Sequence, residues 1–460
     1  MFTSRVSRHD RVLVQAQDGR GERYEWAGGD VAASVPLGNR SLWLFGDTLA
    51  VQRLEDGARS SDGWRMPHAS LGMEEDGKMV YYFHWDSNVT ASTRDGGGTR
   101  DDGTASVPDN LFLPTPLADD SLVWLSAGLA TEEGTLVVLA MQIKVHSSVE
   151  SFAFGVEKTL VYVQRETAGD PSTWPAWQVA EWPGGELDRV HFSAALVQGS
   201  TGRDAADPWT YVLGTLGAAG DARAVMARIH LDDLVAQRLD RAEYLVQGRT
   251  WRQAASLSEI EDEEWEVLFS PGITETTLQF DERLDRWFFL AIPPFTDTVN
   301  VWTAEQITGP YELGETVYTV PEIAAGGRFA YACKVHKELS PGPGSHVFTY
   351  VTNALDSDSL FEPEFIDTYV PRFVRLDPPS DGSGDGKHGR DAGTGGFSTE
   401  LYIGAAFVLL LALVAGALVG YRAYSRRVDA PAMHVQLMEE GEEMGEMEET
   451  EEASEHEGEL

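Results

Sequence analysis

Four titratable residues recur in similar settings. Asp30, Asp109, His191 and Glu275 each open a segment that runs into short apolar stretches, about 80 residues apart. The segments read Asp30-VAASVPLGNR-SLWLF, Asp109-NLFLPTPLADD-SLVWL, His191-FSAALVQGSTGRDAADP-WTYVL and Glu275-TTLQFDERLD-RWFFL. A fifth, Phe329-AYACKVHKELSPGPGS-HVFTYV, follows more closely and opens without an acid. Carboxyl groups that converge in one cleft can do general acid–base work, one releasing a proton as another takes one up. Asp47, in Phe45-Gly-Asp-Thr48, is a further candidate, although an aspartate in that setting more often bonds its own backbone. Asp30 follows Gly28-Gly29, so its plain reading is the end of a turn. His191 reads either as a contact to a ligand or as a satisfied core histidine.

Other chemistries lack their residues. The single cysteine, Cys333, excludes an intramolecular disulfide framework and a cysteine-based zinc site. His9, His68, His84, His146 and His191 show no HExxH-type spacing, and no GxSxG elbow or phosphate-binding loop occurs. Ser92–Ser106 has Asp and Gly but no complete calcium loop. No cofactor or metal is expected. With 35 Lys+Arg against 74 Asp+Glu, a net charge of −39, the chain repels phosphate backbones, which argues against nucleic acid as a partner.

The elements that must position these residues are strands. Short runs such as Ser41–Phe45, Met79–Trp85, Thr135–Ile143, Thr159–Gln164, Trp209–Leu213, Ala224–Ile229 and Arg286–Ile292 are separated by turn clusters. Helical turns are expected only at Leu231–Leu239 and Ala304–Thr308. Five similar units in residues 24–376 predict an all-β fold, a five-bladed propeller of four-stranded blades, with a pair of β-sandwiches as the other reading. Trp43, Trp85, Trp124, Trp287 and Trp302 read as blade core before sugar platforms.

The phrase Leu42-Trp-Leu-Phe-Gly-Asp-Thr48 resembles the first blade of propeller domains related to five-bladed glycosidases. Glu275–Tyr311, with VNVWTAEQIT before Gly309-Pro310-Tyr311, resembles the fourth blade of the arabinanase, xylosidase and fructosidase group. This resemblance implies a carbohydrate substrate and a carboxylate pair across a central funnel, a base that activates water and an acid that protonates the leaving oxygen. Asp30 matches the base and Glu275 the acid. The group has a third carboxylate on its third blade, where this chain has His191. Asp47, Asp109 and His191 are the expected substrate contacts. The alternative is a glycan-binding, adhesion or protein-interaction propeller without catalysis.

Beyond the propeller, 377–397 (DPPSDGSGDGKHGRDAGTGGF) reads as a flexible linker. Leu401–Tyr421 (LYIGAAFVLLLALVAGALVGY) carries no charge and would form a helix about 31 Å long, enough to span a bilayer. Within it Ala412, Gly416 and Gly420 lie four apart, a face that permits close pairing of two helices and so a homodimer. Arg422, Arg426 and Arg427 favour a cytoplasmic C-terminal side. Residues 422–460 are expected to be an acidic, disordered tail. Residues 1–23 form an N-terminal segment without the apolar stretch of a secretory signal, so either the propeller is cytosolic or the sequence starts downstream of its true beginning. Sequons at Asn39 and Asn88 favour a propeller on the extracellular or lumenal side, hence a glycoprotein.

Overall fold

The computed structural model describes residues 3–7, 16–17, 23–51, 66–76, 78–84, 121–145, 154–184, 189–217, 222–270, 275–294, 296–355, 359–360 and 368–378. Among these, five antiparallel sheets succeed one another along the chain as the blades of a propeller. Blade 1 is Ala33–Leu37, Arg40–Phe45, Ala69–Glu75 and Lys78–His84. Blade 2 is Ser121–Ala130, Leu136–Val145, Phe154–Gln164 and Gln178–Glu181. Blade 3 runs from Val190–Gln198 through Trp209–Leu216 and Arg223–His230, then adds Glu243–Val246 and Thr250–Gln253. Blade 4 is Gln279–Asp281, Arg286–Ala291, Thr298–Ala304 and Glu312–Thr319. Blade 5 is Arg328–His336, His346–Ala354 and Arg372–Asp377, and Thr3–Ser7 joins it as the outermost strand, pairing Thr3 with Asp377 and Ser7 with Phe373. A strand from the N-terminal segment thus completes the last blade, which joins the two ends of the propeller.

The second strands of the blades read as unbroken apolar runs because both of their faces are buried. In Arg286–Ala291, Trp287, Phe289 and Ala291 pack toward blade 3 while Phe288 and Leu290 pack toward blade 5. In Leu136–Val145, Leu136, Val138 and Ala140 face blade 1 and Val137 and Leu139 face blade 3. Successive side chains of a strand point to opposite sides, so one strand feeds two cores.

Two expectations need correction. The second repeat unit was set one strand out of phase: Ser121–Ala130 is the innermost strand of blade 2, and Leu136–Val145 is the strand that follows it. The cause is composition, since SLVWL has the aromatic character of a second strand. No helix forms at Ala304–Thr308: Ala304 ends the third strand of blade 4, and 305–308 form bends and turns; Tyr311 is buried beside them and donates its hydroxyl to the carbonyl of Ile307 at 2.9 Å. At the other expected site a short helix, Leu231–Val235, and a 3-10 turn, Leu239–Arg241, are present. Among the described residues no helix is long and apolar enough to cross a membrane. Asp377, where the sequence suggests that the linker begins, ends the last strand of blade 5; the linker from 379 on, the 401–421 segment with Ala412, Gly416 and Gly420, and the acidic tail lie outside the described residues.

Candidate active site

The site begins with a small sheet beside blade 1. Arg23–Gly29 pairs antiparallel with Thr48–Val51, in a register that sets Gly29 opposite Thr48. The residue after one strand and the residue before the other are Asp30 and Asp47, so register alone brings the two together; the Asp30 amide donates to the Asp47 carbonyl at 3.1 Å. The chain then turns sharply. The Ala32 amide donates to the Asp30 carbonyl at 2.7 Å, closing a three-residue turn with Val31 at φ 62° and Ala32 at φ 50°. A β-branched residue at positive φ is strained, and such strain persists only where the surroundings hold it.

The surroundings are specific. Oδ2 of Asp30 accepts the hydroxyls of Tyr369 at 3.0 Å and Tyr331 at 3.2 Å. Tyr369 itself has φ 66°, and Ala332, next to Tyr331, has φ 54°. Gly28 admits the Tyr369 segment: a Cβ there would stand 2.0 Å from the Tyr369 carbonyl oxygen. Gly46 admits the Asp30 carboxylate, since a Cβ would lie 2.6 Å from its Oδ1. Asp47 is not the local turn residue its sequence setting suggests. Its Oδ1 accepts Nε1 of Trp124, from the inner strand of blade 2, and bonds Nδ1 of His68, each at 2.7 Å.

Glu275 enters from blade 4, just before buried Thr276 and the inner strand. Lys334, on the inner strand of blade 5, is 1% exposed. Its Nζ donates to the carbonyls of Thr276 at 2.8 Å and Ala194 at 3.1 Å, and its charge acts on Glu275. Burial raises Asp30 well above the ordinary carboxylate range; the charges of Glu275 and Asp47 add to this, and the two phenols oppose it. Burial pushes Glu275 up to about 7, with Lys334 pulling down and Asp47 pushing up. Asp30 and Glu275, withdrawn from water and under the charge of Asp47, do not both ionise fully at neutral pH. The group therefore holds a proton it can give and a carboxylate that can take one, which is the equipment for acid–base chemistry.

Asp30, Asp47 and Glu275 are thus gathered into one electrostatic unit. Asp109 and Asn88 lie outside the described residues. Asn39 is exposed in the turn between the first two strands of blade 1. His191 sits on the inner strand of blade 3, 6% exposed, and neither ring nitrogen has a partner among the described residues. Burial lowers it to about 4, so it is neutral at physiological pH and supplies no negative charge. Trp43 and Trp287 are blade core, and Trp85 is outside the described residues.

Sequence reasoning missed Tyr331, Tyr369, Lys334 and the contact role of His68. Lys334 carried a signal, a lone lysine in the apolar strand FAYACKVH. Tyr369 carried none, since its partner lies 339 positions away. Among the described residues no group of three His, Cys, Asp or Glu is arranged to hold a metal ion.

Comparison with known proteins bears on the fold. A family profile described as "Domain of unknown function (DUF5005)" matches residues 19–380. No curated protein sequence matches. Among solved structures, a candidate hydrolase from Bacteroides ovatus aligns with a TM-score of 0.55 at 16% identity, covering 76% of this chain and 86% of its own. A xylan β-1,4-xylosidase from Bacillus halodurans aligns at 0.40 and 9% identity, covering 76% of this chain and 53% of its own. The catalytic domain of an α-L-arabinofuranosidase from Coprinopsis cinerea aligns at 0.39 and 7% identity, covering 82% and 96%. The chain resembles five-bladed glycosidase propellers in fold.

Proposed function

The chain belongs to the DUF5005 family, and from that premise we propose that its propeller acts on carbohydrate, hydrolysing a glycosidic bond with inversion at the anomeric carbon. The observation that carries this reading is the convergence of Asp30, Asp47 and Glu275, with Asp30 clamped by two phenols that favour its ionised form and the proton affinity of Glu275 raised. Asp30 takes a proton from water as the water oxygen bonds to the anomeric carbon. The bond from that carbon to the leaving oxygen breaks as Glu275 delivers its proton there. Asp30 ends protonated and Glu275 ionised, and exchange with solvent restores both. An acid with a pKa near the working pH is well matched to that step. Asp47, whose charge raises Glu275, supplies the negative field that the third-blade position, His191, does not.

The test uses a panel of chromogenic pentosides, fructosides and hexosides with wild type, Asp30→Asn and Glu275→Gln. Turnover that falls at least about 10²-fold in both variants supports the roles. The neutral His191 favours a second reading, a propeller that binds glycan without cleaving it. Glycan binding by folded wild type, with no turnover on the panel, would move the assignment there.

The propeller is, in this reading, tethered by the 377–397 linker to a membrane span at 401–421, with residues 422–460 on the cytoplasmic side. Pairing of two copies would use Ala412, Gly416 and Gly420. Glycosidase-sensitive mass on Asn39, removed by Asn39→Gln, supports the extracellular or lumenal side. Selective labelling of the tail from outside intact cells would reverse the orientation.

A further inference from the structure

The inner strands of the blades are tied to one another by polar groups. Ser126 of blade 2 donates to the Ser193 carbonyl of blade 3 at 2.6 Å. Ser34 of blade 1 bonds Nδ1 of His336 in blade 5 at 2.6 Å. Blades 3, 4 and 5 have one knot, the Lys334 ammonium. A buried lysine is costly unless its charge and its donors are satisfied. Two donors of Lys334 are taken by main-chain carbonyls, which are neutral. The negative charge that answers it is Glu275, whose residue adjoins one of those carbonyls, that of Thr276.

We propose that Lys334 is the positioning residue of the site: its ammonium fixes the Glu275 segment to blades 3 and 5 through the carbonyls of Thr276 and Ala194, and supplies the fixed positive charge that faces the Glu275 carboxyl. The catalytic consequence rests on the reading of Glu275 as the acid, but the charge coupling does not require turnover. The groups around the pair are accounted for. Asp47 from blade 1 acts on Glu275 in the opposite sense to Lys334. Asp30 and Tyr331 feel the Glu275 charge. Cys333 and His336 share the Lys334 strand, and burial raises the thiol and lowers the imidazole to about 3, so both are uncharged at neutral pH. His191 of blade 3 is neutral as well.

The sign follows. A cation beside a carboxyl favours its ionised form, so removing the cation must raise the Glu275 midpoint. Linkage makes the effect mutual, so removing the Glu275 charge must lower Lys334, which burial has already brought down to about 8.

The experiment is a carbon-13 NMR titration of the whole protein labelled at glutamate carboxyls, with the Glu275 signal identified by its loss in Glu275→Gln. Lys334→Met should bind the Glu275 proton about tenfold or more tightly than wild type, while Lys334→Arg should stay near wild type. An unmoved Glu275 midpoint in folded Lys334→Met overturns the proposal. Should Lys334→Met fail to fold, the reciprocal measurement decides: the Lys334 Cε signal must titrate at lower pH in Glu275→Gln than in wild type, and an unchanged midpoint overturns it. Neither readout moves if Lys334 is only a strut. Both remain readable if no glycoside is ever cleaved, so failure of the coupling and failure of the hydrolytic reading are separate results.

Discussion

Asp30 is constrained by a strained turn, two phenols and the space left by glycines. Of the eight non-glycine residues with positive φ among those described, Val31, Ala32, Tyr369 and Ala332 belong to this shell. The phenols stabilise the ionised form, so Tyr331→Phe or Tyr369→Phe should raise Asp30 further. A base must be ionised to act, so the acid-side limb of a kcat/KM profile should move to higher pH, by about one pH unit for one charge-assisted hydrogen bond. A limb unmoved in both variants would separate Asp30 from the base role. Gly46→Ala tests placement: its Cβ would displace the carboxylate. About 10²-fold in turnover should be lost, with a much smaller change in thermal unfolding. Asp30 and Glu275 were legible as candidates because each opens a repeat unit. The phenols were not, since nothing near Tyr369 in sequence points to Asp30.

The blades meet through apolar cores, with a few buried polar ties. Phe289, fully buried between blades 3 and 4, stacks on Phe269 and on Trp302. Phe289→Ala should cost about 3–5 kcal/mol in a denaturant titration, from lost burial and the cavity left behind. Blades 4 and 5 are also joined by Asp281 and His346, whose Nε2 lies 2.8 Å from Oδ2 of Asp281. Burial alone would raise Asp281. The hydrogen bond from His346 and the amides of Leu284 and Arg283 more than offset it and hold the carboxyl below its ordinary value. A carboxyl lowered on folding contributes stability that is present above its unfolded pKa of about 3.9 and is lost as pH falls through the folded value. Asp281→Asn should therefore flatten the acid limb of stability against pH below about 4, and an unchanged slope would show that other groups govern it. The existence of these strands could be read from residue type. The phase of blade 2 could not, because strands buried on both faces carry the same apolar signature whether first or second in a blade.

Over the whole molecule, the ring is completed when Thr3–Ser7 pairs with Arg372–Asp377. Deleting residues 1–7 would remove this pairing between the two ends of the ring. The shortened protein should show a lower Tm than full length, read by calorimetry, and an unchanged Tm would show that the ring holds without this strand. The membrane proposal belongs to this scale too. Full-length protein should co-float with neutral lipid vesicles while residues 1–397 alone should not. Flotation of both would place the membrane contact in the propeller.

By itself the sequence determined the class of the fold and the number of blades, and its resemblance to five-bladed glycosidases singled out Asp30 and Glu275 among the residues that open the repeats. Those properties are written in local patterns, the strand composition, the turn spacing and the repeat, which need no knowledge of distant partners. Only the tertiary structure decided which groups surround those acids. Asp47 joins Asp30 through the register of two strands, Tyr369 reaches Asp30 from near the far end of the ring, and Lys334 meets Glu275 through blade 5. A propeller brings residues far apart in sequence to one centre, and the proton affinities there depend on burial and charge that exist only once the ring has formed.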